Sequence, residues 1–165
     1  MWYAILGAVL LAGDQILKYW VVTHLAVGES APFLPGFMQL TRLHNYGAAW
    51  SSLSGRTVLL VVFTAVLLAA VALLLIKKVV RHWTGITACT LILSGGIGNI
   101  IDRIVHGYVV DMFDLQLFSY PVFNLADCCV VVGAILGGIY YLFLYEKYDK
   151  KKKEPDHAND PSDPS

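Results

Sequence analysis

Four apolar stretches, each roughly the length an α-helix needs to cross a hydrocarbon core, run through a chain of 165 residues. They extend from about Trp2 to Val22, Thr57 to Ile76, Trp83 to Ile101 and Leu125 to Tyr145. A segment in lipid must pair its own backbone N–H and C=O groups, so isolated spans of this kind are helices. The second stretch carries no charge, and the first is interrupted by Asp14, Gln15 and Lys18. Only 15% of residues are charged, against about 25% in a soluble domain. The formal net charge is zero, which gives no basis for a nucleic-acid partner. The expected fold is therefore an all-α membrane protein, a four-helix transmembrane bundle. The first stretch has an acid in its apolar run, no basic n-region and no small-x-small cleavage site at the right place, so it reads as a retained helix.

Basic residues orient the bundle. Lys77, Lys78 and Arg81 fill the link between spans two and three, and Lys147 and Lys150 to Lys153 follow span four. The positive-inside rule puts both groups, and both termini, on the cytoplasmic side. Trp20, Trp50, Trp83, Tyr145 and Tyr148 lie near span ends, at the level of an aromatic belt. Residues 1–148 are expected to form one membrane domain, and 149–165, rich in Lys, Asp, Pro and Ser, a disordered cytoplasmic tail. The outer segment from about Thr23 to Arg56 contains Pro32, Pro35 and Gly36, then Phe37 to Leu43 with weak alternation. That pattern fits a short strand or hairpin, a small β-like cradle between spans one and two. Cys89, Cys128 and Cys129 all fall in apolar runs and read as small buried residues rather than a disulfide framework.

The orientation gathers the intramembrane polar groups at one depth. Asp111, Asp114, Asn124 and Asp127 fall on the outer side, with Asn45, Asn99, Asp102 and Arg103, while Asp14 and Lys18 occupy the outer half of span one. Charged groups in lipid are costly and usually functional. Asp14 and Lys18 share a helix face four residues apart, as a structural ion pair or as a substrate-facing wall. Asn99 and Arg103 are one turn apart; Arg103 either holds a substrate carbonyl or snorkels at a helix end with Asp102 as counter-ion. Asn124 and Asp127 face the same way at the start of span four, where Asn124 fits a helix cap and Asp127 gains from the helix dipole. Gly95, Gly96, Gly98, Gly133 and Gly137 read as packing surfaces. A loop of about a dozen residues leads from Asp111 back to Asn124 and can bring Asp111 and Asp127 together, although Asp114 competes with Asp111 as the partner acid.

Two adjacent carboxylates share a proton, because both cannot ionise comfortably. The ionised acid can activate water, and the protonated one can polarise a scissile carbonyl and then protonate the leaving amine. No HExxH motif is present, and no Ser or Cys stands beside a plausible base.

Together these blocks resemble a known family. Asp14-Gln15-Ile16-Leu17-Lys18, Asn45-Tyr46-Gly47-Ala48-Ala49-Trp50, Gly95 to Arg103, Val109-Val110-Asp111 and Phe123-Asn124-Leu125-Ala126-Asp127 are similar, in content and order, to those of the lipoprotein signal peptidases, the bacterial signal peptidase II. The resemblance covers the chain from Asp14 to about Tyr145. It implies an intramembrane aspartyl endopeptidase with Asp111 and Asp127 as catalytic acids. The family's other site positions fall on Asp14, Lys18, Asn45, Gly47, Asn99, Arg103 and Asn124, expected to bind substrate. The implied substrates are diacylglyceryl-modified prolipoproteins, cut just before the lipidated lipobox cysteine. No cofactor or metal is expected. The implied partners are prolipoproteins, membrane lipids and cyclic peptide inhibitors such as globomycin. A monomer in the bacterial cytoplasmic membrane, with its site near the outer face, completes the expectation. A transporter would need charges along a path across the membrane, and span two has none. A GxGD protease would need an acid where Asn99 stands.

Overall fold

The computed structural model describes residues 2–47 and 55–150; Trp50 of the expected aromatic belt and the tail from Lys151 onward lie outside them. Four helices are long and apolar enough to span a bilayer. They are α1 (Trp2–His24), α2 (Thr57–Ile76), α3 (Trp83–His106) and α4 (Leu125–Ile139). The last continues as π-helix through Tyr140–Leu144 and Glu146–Lys150. The third helix runs one turn beyond its expected end, to the left-handed Gly107 (φ 80°), the conformation glycine adopts most readily at a helix C-terminus. The assignment of Asp149 and Lys150 to a disordered tail is corrected: both are helical, and Asp149 is buried.

Helix α3 is the centre of the bundle and packs against all three others. Its glycines make that possible. A Cβ on Gly95 would stand 2.3 Å from the Ala126 carbonyl oxygen, and one on Gly98 would stand 2.7 Å from Asp14 Oδ2. Without these glycines α4 and α1 could not approach so closely. Helix α2, uncharged, meets α3 across Gly96, where a Cβ would strike Leu68. This is the small-residue packing expected where water supplies no hydrophobic drive between helices.

The cradle is a three-stranded antiparallel sheet in the order β1-β2-β3. β1 (Ser30–Leu34) and β2 (Met38–Asn45) form the expected hairpin, turning at Gly36 (φ 74°). β3 (Val109–Leu115) comes from between α3 and α4, in a stretch the sequence offered only as the approach to a loop. β2 and β3 pair from Met38↔Leu115 to Asn45↔Val109, with an irregularity between Leu40 and Leu43. Val110 and Met112 from β3 pack on Val21 and Leu25 at the end of α1, so the sheet closes over that end of the bundle. On its other side β3 is tied to Phe123, whose carbonyl accepts from Met112 N (3.0 Å) and Phe113 N (2.7 Å). That tether holds the residue before Asn124 against the strand that carries Asp111.

Candidate active site

The geometry around Asp111 and Asp127 follows from how α4 begins. Asn124 is the N-cap: its Oδ1 accepts from Asp127 N (2.9 Å), while its own N–H donates to Asp127 Oδ2 (3.2 Å), a reciprocal capping box. Asp127 is thus fixed by the first turn of its own helix. The Asn124 side chain, fully buried, has its amide left to donate, and Nδ2 reaches Asp111 Oδ1 at 2.7 Å. One asparagine therefore binds both acids.

Two further asparagines complete the frame. Asn45 Oδ1 accepts from Gly47 N (2.9 Å), an Asx-turn, which aims Asn45 Nδ2 at Asp111 Oδ2 (2.9 Å). Asn99 Nδ2 donates to Asp127 Oδ1 (2.8 Å), while Asn99 Oδ1 accepts from Lys18 Nζ (3.0 Å) and Asn124 Nδ2 (3.2 Å). Among the described residues, each of the four carboxylate oxygens thus holds one amide donor. Arg103 donates to Gly47 O (2.9 Å) and Asn99 O (3.3 Å), not to Asp102. The snorkel with Asp102 as counter-ion is replaced by a clamp across the Asn45-Tyr46-Gly47 turn.

A cavity of about 230 Å³ opens on this frame. Asn45, Asn99, Arg103, Asp111 and Asp127 line it, with Tyr120 to Phe123 and Val130-Val131 forming its apolar side. Asp111 is 1% exposed. Burial, followed by the charge of Asp127, pushes its carboxyl up to about 7, even though Asn45 and Asn124 donate to it. Asp114 is elsewhere: Gln39 Nε2 (2.7 Å) and Thr41 Oγ1 (3.0 Å) bind it on the sheet, and it does not line the cavity.

Asp14 and Lys18 are also absent from the cavity lining, and both are buried. Lys18 Nζ lies 2.8 Å from Asp14 Oδ2 and 3.0 Å from Asp102 Oδ2. Asp14 Oδ1 accepts from Ala126 N (2.9 Å) in the first turn of α4, and Asp102 Oδ2 from Val110 N (3.1 Å) beside Asp111. Gln15 Nε2 bridges Asp14 and Asp102, each at 3.2 Å. This buried ionic brace joins α1, α3, α4 and β3 directly behind the two acids. Sequence reasoning missed the parts played by Asp102 and Gln15; the signal available was that Asp14 and Asp102 both fall on the outer side, at the depth of Lys18. It also missed the Tyr120 to Phe123 wall, which has no spacing signature. Among the described residues no buried side-chain polar atom lacks a partner.

Comparison with known proteins gives a consistent result. The family model described as "Signal peptidase (SPase) II" matches residues 6–143. The lipoprotein signal peptidase of Enterococcus faecalis (strain ATCC 700802 / V583) is 41% identical over 151 residues, covering 92% of this chain and 93% of that protein. That of Lactococcus lactis subsp. lactis (strain IL1403) is 38% identical over 143 residues, covering 87% and 91%. Among solved structures, a bacterial membrane enzyme determined by the in meso method at 2.3 Å resolution superposes with a TM-score of 0.80 at 32% identity, covering 93% of each chain. A second such enzyme, at 1.9 Å, gives 0.78 at 34% identity, covering 86% of this chain and 92% of the other.

Proposed function

The chain belongs to the signal peptidase II family, and from that premise we propose that it removes the signal peptide from diacylglyceryl-modified prolipoproteins, with Asp111 and Asp127 activating the water that cuts. The observation that carries the dyad is the Asn124 side chain and backbone bonded to both acids at the wall of one cavity. Asp111, its carboxyl raised to about 7, suits the partner that keeps a proton at neutral pH. Its proton polarises the scissile carbonyl while Asp127 takes a proton from water. The tetrahedral intermediate then collapses as the amine takes a proton from the dyad, and the proton shared by the two acids is restored. Arg103, at the same cavity, supplies fixed positive charge near the developing oxyanion. Asn45, Gly47, Asn99, Arg103 and Asn124 position peptide and dyad. Asp14 and Lys18 act through the brace rather than on the substrate.

A second groove supports the lipidated character of the substrate. About 350 Å³ in volume, it is lined by Leu115, Phe118, Cys128 and Val132, and it shares Tyr120, Phe123, Asp127 and Val131 with the dyad cavity. An acyl chain lying there would hold the modified residue beside the cutting point. Cys128, read from sequence as buried, is half-buried against this groove. The dyad lies at the bundle end opposite Lys77, Lys78, Arg81, Lys147 and Lys150, which fits cytoplasmic termini and a site near the outer face. A complete constellation within one chain fits a functional monomer, and the cavity is where a cyclic peptide such as globomycin would compete.

Cleavage of a diacylglyceryl-modified prolipoprotein by purified protein tests the reading. Asp111→Asn and Asp127→Asn should each abolish product while the folded helical spectrum is retained; Asp114→Asn should cleave within about three-fold of wild type. Loss in Asp114→Asn with activity kept in Asp111→Asn would refute the dyad. Equal cutting of unmodified and lipidated precursor would refute the lipid requirement.

A further inference from the structure

We propose that the cleft between α2 and α4 at the basic end of the bundle binds one phospholipid with an anionic headgroup. Both helices pack on α3, and at that end a gap lies between them. The gap is a cavity of about 480 Å³ with walls of Val71, Leu74, Ile92 and Tyr141 and a floor of the small residues Ala88 and Gly137. In a bilayer such an apolar gap takes an acyl chain.

The rim identifies the headgroup. Lys78 has a left-handed backbone (φ 52°), uncommon for a residue with a side chain. The turn it makes, closed by Val79 N and Val80 N on Leu74 O, places Val79 and Val80 against the cavity. Lys77, Lys78 and Arg81 therefore flank its mouth, and all three are exposed. Among the described residues, the charged side-chain group of none of these three or of Lys147 has a carboxylate within 4.0 Å. Two acids among the described residues at this end are already engaged. Asp149 is buried and accepts from Tyr140 Oη, Arg81 N and His82 N, and Glu146 pairs with Lys150. An apolar slot beneath uncompensated cations fits an anionic lipid, because each Lys or Arg near a membrane surface adds on the order of five-fold to anionic-lipid attraction.

Native mass spectrometry of protein released from nanodiscs of phosphatidylglycerol mixed equally with phosphatidylcholine tests this. Wild type should retain one lipid per chain, phosphatidylglycerol favoured at least about ten-fold if two of the cations engage it. Lys77→Gln/Lys78→Gln/Arg81→Gln, confined to the surface, should bring that preference to near unity. Gly137→Leu, whose Cβ has room at 3.8 Å from Ala88 Cβ, should fill the cleft and lose the retained lipid. Gly138→Leu, in open space outside the cavity, controls for substitution in the helix and should keep it. Equal retention of both lipids by wild type would overturn the proposal. So would an unchanged preference in the triple variant, or lipid retained by Gly137→Leu as fully as by Gly138→Leu, which would leave general surface attraction only.

Discussion

Replacing Lys18 by Met keeps the length of an apolar stem and deletes the one cation between two buried acids. Lys18 is 3% exposed, with Asp14 (1%) at 2.8 Å and Asp102 (2%) at 3.0 Å. The brace carries one positive and two negative charges, so the deletion leaves two uncompensated carboxylates behind the dyad. Removing one member of a buried pair costs about 3–5 kcal/mol, mostly as the charge left without its partner. For a chain of 165 residues, about 2–4 °C of Tm accompanies each kcal/mol, so Lys18→Met should melt about 6–20 °C below wild type. Thermal unfolding by tryptophan fluorescence, in one detergent throughout, reads this directly. Asp14→Asn/Lys18→Met/Asp102→Asn removes all three charges and keeps acceptors for Ala126 N and Val110 N, so it should recover at least half of the loss. A Tm for Lys18→Met within about 2 °C of wild type, or a triple variant no more stable than the single one, would refute the reasoning that charge compensation holds these helices together.

Three further outcomes are expected. With Asp111 raised to about 7, the proposed dyad would keep its shared proton below that pH and lose it above. The value of kcat/KM should therefore fall about ten-fold per pH unit on the alkaline side, and Asn45→Leu, removing a donor to the ionised acid, should move that limb to higher pH in a cleavage profile. Gly95→Ala places a Cβ 2.3 Å from a backbone oxygen of the α4 first turn, so it should lower stability by about 1–3 kcal/mol and cleavage by more than ten-fold; Gly137→Ala, at 3.8 Å from its nearest neighbour, serves as the tolerated comparison in both assays. Asp149→Ala strips the acceptor from Tyr140 Oη and from two N–H groups at the start of α3, for a loss of about 1–3 kcal/mol seen in melting, with cleavage below the melting range unchanged.

The spans were legible because lipid imposes a coarse, strong rule: twenty apolar residues suffice to mark one. The polar constellation was legible for the same reason, since every charge in such a stretch stands out. Asn124 as cap and Asp127 in the first turn followed from residue type and spacing, and both are found there. β3 was not legible. Val109 to Leu115 alternates poorly, and the burial of four consecutive residues, Val109 to Met112, shows why: the strand is covered on both faces. Its pairing with β2 joins residues some seventy positions apart, which no local pattern records. The choice between Asp111 and Asp114 needed that same register. The strand sends Asp114 to Gln39 and Thr41, and Asp111 to Asn45 and Asn124.

The start of α4 shows why structural and chemical roles cannot be separated cleanly here. Its first turn presents N–H groups that need acceptors, and two carboxylates from different helices meet that need: Asp127 on Asn124 N and Asp14 on Ala126 N. Asp14 is charge-compensated by Lys18, which also holds Asn99 Oδ1 and so turns the Asn99 amide toward Asp127. Inserting α4 beside α1 and α3 therefore requires the same bonds that orient the proposed dyad. A substitution in the brace should accordingly lower stability and cleavage together, and one on the cavity side alone, such as Asp127→Asn with its cap acceptor retained, should lower cleavage by orders of magnitude at nearly constant Tm. That pairing of readouts, rather than loss of activity by itself, separates residues that touch substrate from those that hold them in place.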